Sequence, residues 1–312
     1  MLRLLFRRFV QGILTLAAVS VLVFVGTEIL PGDVADAVLG QSATPETVAA
    51  LRQSMELDRP APLRYLDWLS GFVTGDLGHS LATGRPVSEL MGDRLSNTLL
   101  LGAATAIVAV PLSLLLGLLS ATYPQSMSLK ACMLFTLCAA SAPEFFVAAI
   151  LVGIFAVRLR WFPGVAYLSD GQSLPAMLRT LALPVMTLTL AVAAHMARMT
   201  RMALSEVLST PYIEMAELKG TSRLDIVVRH AFPNAVAPVT NAVAMNLAYL
   251  IGGVVIVESM FSFPGLAKLM VDSVTTRDIP IVQGCAMVFC SAYVLFNLLA
   301  DMISIASNPR LR

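Results

Sequence analysis

The chain has 312 residues, of which 57% are hydrophobic and 13% are charged, and its mean hydropathy is +0.79. A soluble domain of this size could not bury so much apolar surface, so the composition indicates a polytopic helical membrane protein. The formal net charge of +1 gives no reason to expect a nucleic acid partner.

The N-terminal segment predicts an uncleaved first membrane span. Arg3, Arg7 and Arg8 precede an apolar run from Phe9 to about Leu30, long enough for the roughly 20 residues that cross a bilayer. A secretory signal would have a shorter apolar core and a small-residue cleavage site. The arginines favour a cytoplasmic N-terminus, and we interpret the arginine pair as a positive-inside anchor rather than an export signal.

Six apolar segments are long enough to be transmembrane helices. They lie at 9–30, 97–123, 131–157, 183–203, 234–257 and 281–306. An even number of spans returns the C-terminus to the cytoplasm, so 124–130 and 204–233 face inward, and 31–96, 158–182 and 258–280 face outward. Arg158, Arg160 and Arg179 oppose the positive-inside bias, so the orientation rests on the two termini and segment 204–233.

This arrangement divides the chain into four regions. They are the tail and first span (1–30), an extracytoplasmic loop (31–96), a five-span transmembrane domain (97–306) containing cytoplasmic loop 204–233, and a cytoplasmic tail (307–312).

The extracytoplasmic loop is predicted to be partly helical. Thr44-Pro45-Glu46 has the pattern of an N-cap followed by proline at the first helical position. After Pro60, apolar residues recur at three-residue spacing from Leu63 to Phe72, with Tyr65 and Trp68 alongside. This spacing predicts a short amphipathic helix, which either packs on the spans as a lid or contacts the substrate.

Segment 204–233 is polar in an otherwise apolar chain, and its charges exclude it from the bilayer. Thr210-Pro211 predicts the start of a helix, with the threonine hydroxyl as its cap. This helix is predicted to run to Lys219, with Gly220 as its C-terminal cap because glycine tolerates a positive φ. The small Ala216 would permit another surface to approach closely.

A second helix is predicted directly after the turn. Ser222 and Asp225 have the spacing of a capping box, and the helix is expected to end near Pro233. The loop is therefore predicted to form a helix, a tight turn and a second helix.

This loop resembles the EAA motif of ABC importer permeases. Glu214-Met215-Ala216, Gly220 and His230-Ala231-Phe232-Pro233 stand at the motif's positions. A resemblance to the B-type permease of dipeptide, oligopeptide and nickel importers continues along nearly the whole chain. The further segments are Pro31-Gly32-Asp33, Leu57–Pro60, Gly75–Ser80, Arg229-His230-Ala231 with Asn234-Ala235, Glu258–Leu266, Arg277–Gly284 and Asn308–Arg312.

The resemblance implies an all-α membrane protein with six transmembrane helices, in the type I ABC importer permease fold with a cytoplasmic coupling helix. It also implies that the polar loop docks in a cleft of a separate ATPase. The residues assigned to this ATPase-coupling loop are Glu214, Met215, Ala216, Glu217, Lys219, Gly220, His230 and Pro233.

The family also implies the partners. They are a second homologous permease that completes a heterodimer, two ATP-binding subunits and an extracytoplasmic solute-binding protein, in the lipid of a bacterial inner membrane with both termini cytoplasmic. Di- and oligopeptides are the expected cargo. Nickel, a metal–chelator complex and glutathione stay open, since the binding protein largely selects the cargo.

The sequence lacks the motifs of a self-sufficient enzyme. It has no Gly-Lys dipeptide and hence no phosphate-binding P-loop, so ATP and Mg are expected on the partner ATPase and no cofactor on this chain. No metal site is predicted either, because the four cysteines lie in apolar runs, where cysteine usually behaves as a small hydrophobe. His195 is interpreted as a helix-packing residue.

Four acids lie in or at the ends of predicted spans, where an acid marks a functional site by default. Glu28 is expected to reach the outer interface, and Glu144 to brace a kink at the preceding proline. Asp301 is expected to pair with Arg310 or with a partner subunit. Glu258 could line an outer gate or cap the turn that follows it.

The fifth span carries the remaining candidates for the translocation pathway. Gly252-Gly253 predicts close helix packing, and nearby amide and phenol groups give the span polar edges. Asn246, Tyr249 and Glu258 are the predicted pathway residues, with helix packing as the alternative.

Two other functions are considered for the whole chain. The first is an ion-coupled secondary transporter, but the sequence does not reveal the inverted repeats and broken helices that such a transporter would have. The second is a structural scaffold.

Overall fold

The computed structural model describes residues 2–29, 43–54, 58–169 and 171–307. Within these ranges the chain is almost entirely helical. The elements are α1 (Leu2–Ile29), α2 (Pro45–Ser54), α3 (Ala61–Thr74), α4 (Val87–Thr122), α5 (Met127–Ser141), α6 (Glu144–Leu151), the π-helical segment π1 (Val152–Arg158), α7 (Leu174–Leu208), α8 (Pro211–Leu218), α9 (Arg223–Asp225), the π-helical segment π2 (Ile226–Ala231), α10 (Phe232–Met260), α11 (Leu266–Thr276) and α12 (Ile279–Ser307). The predicted motif segments at 31–33, residue 57 and 308–312 lie outside the described residues.

Five predicted spans are confirmed as single helices that are long and apolar enough to cross a membrane. They correspond to α1, α4, α7, α10 and α12. The fifth helical run is longer than predicted, because α9, π2 and α10 are continuous over 38 residues from Arg223 to Met260. At 1.5 Å per residue this run is about 57 Å long, nearly twice the apolar thickness of a bilayer, so one end must project into water.

The third predicted span, 131–157, is wrong as a single helix. It consists of α5 and the run from Glu144 to Arg158, bent by 113° at the break between them, so it supplies a sixth crossing only if the bent pair forms one span. The physical cause lies at Pro143. Proline has no N–H to continue the helix and forces the preceding residue out of the α region, and Ala142 is accordingly extended with ψ 144°. The kink predicted at Pro143 is therefore confirmed, and it breaks the helix.

Both helices predicted in segment 31–96 are confirmed. The Thr47 N–H donates to Thr44 Oγ1 at 3.2 Å, so Thr44 caps α2. Helix α3 packs on α1, where the Tyr65 ring meets Phe24 edge-on at 5.4 Å and its hydroxyl lies 2.8 Å from Ser20 Oγ. These contacts favour the lid interpretation of α3.

One compact unit contains Leu99–Phe263 together with the two ends of the chain. Helices α7 and α10 form its centre, with Leu188, Met196 and Val257 in a buried core that α6 joins. The N-terminal and C-terminal helices of the chain are joined by an ion pair, in which Arg8 Nε lies 3.2 Å from Asp301 Oδ2. Asp301 therefore pairs with the N-terminal helix, and the predicted partner Arg310 lies outside the described residues.

The second compact unit contains the described residues of Val10–Thr98 and Pro264–Val294. A buried acid of this unit, Asp278, lies immediately before α12. The carboxylate accepts hydrogen bonds from Ser80 Oγ, from the Leu81 N–H at 3.1 Å and from the Ala82 N–H at 3.3 Å. Three donors compensate for the burial of this charge, so the connection between α3 and α4 is held firmly against the start of α12.

We predict that Asp278→Asn destabilises the protein by about 3 kcal/mol, because one amide cannot satisfy all three buried donors. The thermal unfolding midpoint of the detergent-solubilised protein should fall by roughly 5–10 °C. The control is Asp272→Asn on α11, which weakens only the exposed Lys268–Asp272 pair and should shift the midpoint little. Equal midpoints for the two variants would contradict the structural role of Asp278.

Candidate functional site

The candidate site is α8, which lies between the two longest helical runs of the first unit. Helix α7 ends at Leu208, and the extended backbone of Thr210 turns the chain into α8 at Pro211. The predicted helix start is confirmed, since proline at this position lacks only an N–H that would have no helical partner. The predicted cap is wrong. The Thr210 hydroxyl accepts no hydrogen bond from the N–H groups of α8, and it donates to the Val207 carbonyl at the end of α7 at 2.7 Å.

Helix α8 ends in the turn that the sequence predicts. Gly220 has φ +80°, its N–H donates to the Glu217 carbonyl at 2.9 Å, and the Thr221 N–H donates to the Ala216 carbonyl at 3.2 Å. These bonds form a Schellman motif, which satisfies carbonyls that the helix end would otherwise leave open. Nothing lies within 4 Å of a Cβ built on Gly220, so the requirement for glycine comes from the backbone conformation and not from crowding.

The predicted capping box is also confirmed. The Asp225 N–H donates to Ser222 Oγ at 3.2 Å, and the Ser222 hydroxyl donates to Asp225 Oδ2 at 2.8 Å. The predicted end of this helix near Pro233 is wrong. The Phe232 N–H bonds to the Val227 carbonyl, five residues back, and this wide π-helical turn makes room for the ring of Pro233 without ending the helix.

Helix α8 has two different faces. Ile213 and Ala216 are buried in a core formed with the end of α7 and the start of the run that leads to α10. The small Ala216 therefore allows α8 to pack closely, and the surface that approaches it belongs to the same chain. Tyr212, Met215 and Leu218 are 55%, 57% and 77% exposed. This exposed apolar face of Tyr212, Met215 and Leu218 is a surface on which another protein can pack.

The polar members of the predicted site surround this face. Glu214, Glu217 and Lys219 are exposed on α8, so their charges are available to a partner. His230 lies on π2, with Nδ1 2.8 Å from the Tyr212 hydroxyl and the two rings in edge contact. This bond joins α8 to the long helical run. The sequence analysis missed Tyr212, because nothing in the local pattern signals a contact with a residue 18 positions away.

The three predicted pathway residues are in different environments. Asn246 is buried, donates to the Ala242 carbonyl at 2.7 Å and lies 3.0 Å from His195 Nδ1, which confirms the packing interpretation of the histidine. Glu258 is fully buried near the end of α10. Tyr249 is 60% exposed and belongs to an exposed stripe along α10. The stripe consists of Met245, Tyr249, Gly252, Ile256 and Met260.

The comparisons with known proteins cover both halves of the chain. Residues 113–312 match the family described as "Binding-protein-dependent transport system inner membrane component". Residues 1–102 match "Binding-prot-dependent transport system membrane comp, N-term". The chain belongs to this family. It is a permease subunit of a binding-protein-dependent ABC importer, and its several apolar helices make it a multi-pass inner-membrane protein.

Relatives of this permease align along nearly its whole length. A "Probable peptide ABC transporter permease protein y4tP" of Sinorhizobium fredii is 35% identical over 98% of both chains. The "Glutathione transport system permease protein GsiC" of Escherichia coli is 35% identical over 100% of this chain and 99% of that protein. Among solved structures, the inward-facing MetNI methionine ABC transporter matches 69% of this chain and 93% of that chain, with 20% identity and a TM-score of 0.47.

We predict that Tyr212→Phe loosens α8 without unfolding the permease, since the variant keeps the ring contact but loses the bond to His230. A net hydrogen bond of about 1 kcal/mol corresponds to a several-fold increase in local opening. Hydrogen exchange should accelerate in Pro211–Leu218 and stay unchanged in the centre of α10. Unchanged exchange in α8 would show that the bond does not hold the helix.

Proposed function

We propose that this permease forms half of the pathway by which di- and oligopeptides enter a bacterial cell. Support for the cargo comes from the relatives, several of which are named as peptide permeases. Glutathione, itself a tripeptide, is the second candidate, because the GsiC relative is equally similar over the full length.

In this proposal the permease acts in a larger assembly. A second homologous permease completes the pathway as a heterodimer, two ATP-binding subunits supply the energy, and an extracytoplasmic binding protein delivers the solute. Both termini and α8 lie on the cytoplasmic side. ATP hydrolysis takes place on the partner, in keeping with the absence of a P-loop from this chain.

The exposed apolar face of Tyr212, Met215 and Leu218 is the observation that supports the coupling role best. It sits on a short helix whose other face is buried, whose C-terminal end is fixed by a Schellman turn and whose Tyr212 bonds to His230, while a capping box starts the helix that follows. When an ATP-binding subunit moves, a flexible loop would absorb the displacement. A fixed helix transmits it to α7 and to the run from Arg223 to Met260.

The transport cycle then follows from differential binding. ATP and the solute-loaded binding protein both favour the outward-open state, since a ligand shifts a conformational equilibrium only by its difference in affinity for the two states. Hydrolysis removes one of these contributions, and the pathway returns to the inward-open state.

We predict that Gly220→Pro uncouples ATP hydrolysis from uptake in the reconstituted importer. Proline requires a φ near −65°, which is incompatible with +80°, and it removes the N–H that bonds to Glu217. Solute uptake should fall at least about tenfold while the subunits still assemble. Gly220→Asn is the matched control and should keep most of the uptake, because asparagine tolerates the left-handed conformation. Normal uptake by the proline variant would contradict the coupling role.

The cargo is tested with the complete importer in proteoliposomes. We expect ATP-dependent uptake of L-alanyl-L-alanine in the presence of the cognate binding protein. Uptake of glutathione without uptake of dipeptides would replace the first candidate by the second. Uptake driven by a proton or sodium gradient, by this chain alone, would refute the proposed function.

A further inference from the structure

Glu144 lies at the break in the third span, at the midpoint of an apolar run. Helix α5 contributes 15 residues before the break, and α6 and π1 contribute 8 and 7 residues after it. Whether the bent pair crosses the bilayer or re-enters it, the break is far from both ends of the run. A carboxylate at this depth is costly, so it needs a compensating group.

The described part of the chain does not supply that group. Glu144 Oε2 is buried and has no hydrogen-bond partner among the described residues. Two other acids of the spans, in contrast, have cationic partners. Glu28 pairs with Arg64, and Asp301 with Arg8.

The neighbouring helix α10 makes room for this carboxylate. A Cβ built on Gly253 would lie 3.0 Å from Glu144 Oε1 and 3.3 Å from Oε2, so a side chain there would displace the carboxylate. The next residue, Gly252, belongs to the exposed stripe of α10, and nothing lies within 4 Å of a Cβ built on it. Glu144 therefore contacts the buried Gly253, one residue from the exposed stripe of α10, and it is itself only half-buried.

We propose that Glu144 is a solute-recognition residue of the translocation pathway and binds the ammonium group of the transported solute. The inference rests on the proposed import of peptides, whose amino terminus carries this group at neutral pH. A cationic donor compensates for the carboxylate during transit, and a charge-assisted hydrogen bond fixes the orientation of the solute. In the absence of solute, water that fills the pathway solvates the carboxylate.

The first experiment measures uptake of L-alanyl-L-alanine by the complete importer. Glu144→Gln keeps the shape of the side chain but removes its charge, and uptake should fall about tenfold. ATPase stimulation by the loaded binding protein should stay within about twofold of wild type, because docking and coupling do not involve Glu144. Glu144→Asp should restore part of the uptake. Glu28→Gln is the control, a span carboxylate that is already paired, and should transport normally.

The second experiment detects the negative charge of Glu144 by the rates of thiol modification and does not depend on transport. Gly252→Cys is introduced after Cys132, Cys138, Cys285 and Cys290 have been replaced by serine. After each rate is divided by the rate of the same reagent with a free thiol in solution, the cationic trimethylammonium-ethyl methanethiosulfonate should modify this thiol about fivefold faster than the anionic sulfonatoethyl reagent. Glu144→Gln should abolish the preference. Delivery of L-alanyl-L-alanine should slow the cationic reagent only when Glu144 is present.

The outcomes separate the alternatives. A thiol that neither reagent reaches, or equal rates with and without Glu144, overturns the proposal. Loss of the second permease from the Glu144→Gln complex also overturns it, since Glu144 would then pair with a cation of that subunit. Failure of wild type to take up any peptide refutes the proposed cargo instead, while the thiol rates still report whether Glu144 faces the pathway.

Discussion

Polar helix α8 can lie only in water, whereas the helices on either side of it are apolar, and the rest of the first unit is built around this constraint. Helix α7 has 35 residues and the run from Arg223 to Met260 has 38, so both extend well beyond the roughly 20 residues that a bilayer needs. These long helices carry α8 away from the membrane. Both helices also meet in the buried core of the unit, which is the connection that the proposed coupling requires.

Local rules predicted the parts of the site that depend on neighbouring residues. Gly220, the Ser222–Asp225 capping box and the start at Pro211 follow from backbone conformation within one turn, which the sequence specifies directly. The predicted cap at Thr210 was wrong because a hydroxyl between two helices can form a hydrogen bond with either helix. The sequence did not predict that the helix continues through Pro233, because a π-helical turn can accommodate a proline that would otherwise end a helix.

Contacts between distant parts of the chain could not be predicted in the same way. Asp278 bonds to Ser80 across 198 residues, and Glu144 meets Gly253 on another helix. Sequence patterns indicated that each residue was unusual, but only packing shows its partner. The same holds for α8, where periodicity alone did not reveal that Ala216 faces inward and that the apolar face of Tyr212, Met215 and Leu218 is exposed.

The central claim is that α8 docks in an ATP-binding subunit, and cross-linking tests it most directly. Leu218 is 77% exposed at the tip of α8, so Leu218→Cys can react without disturbing the core. In the complex purified from its native membrane with a bifunctional thiol reagent, the account predicts a cross-link from this cysteine to a surface cysteine of the ATP-binding subunit. An intact complex in which that position stays uncross-linked and open to solvent reagents would contradict the account.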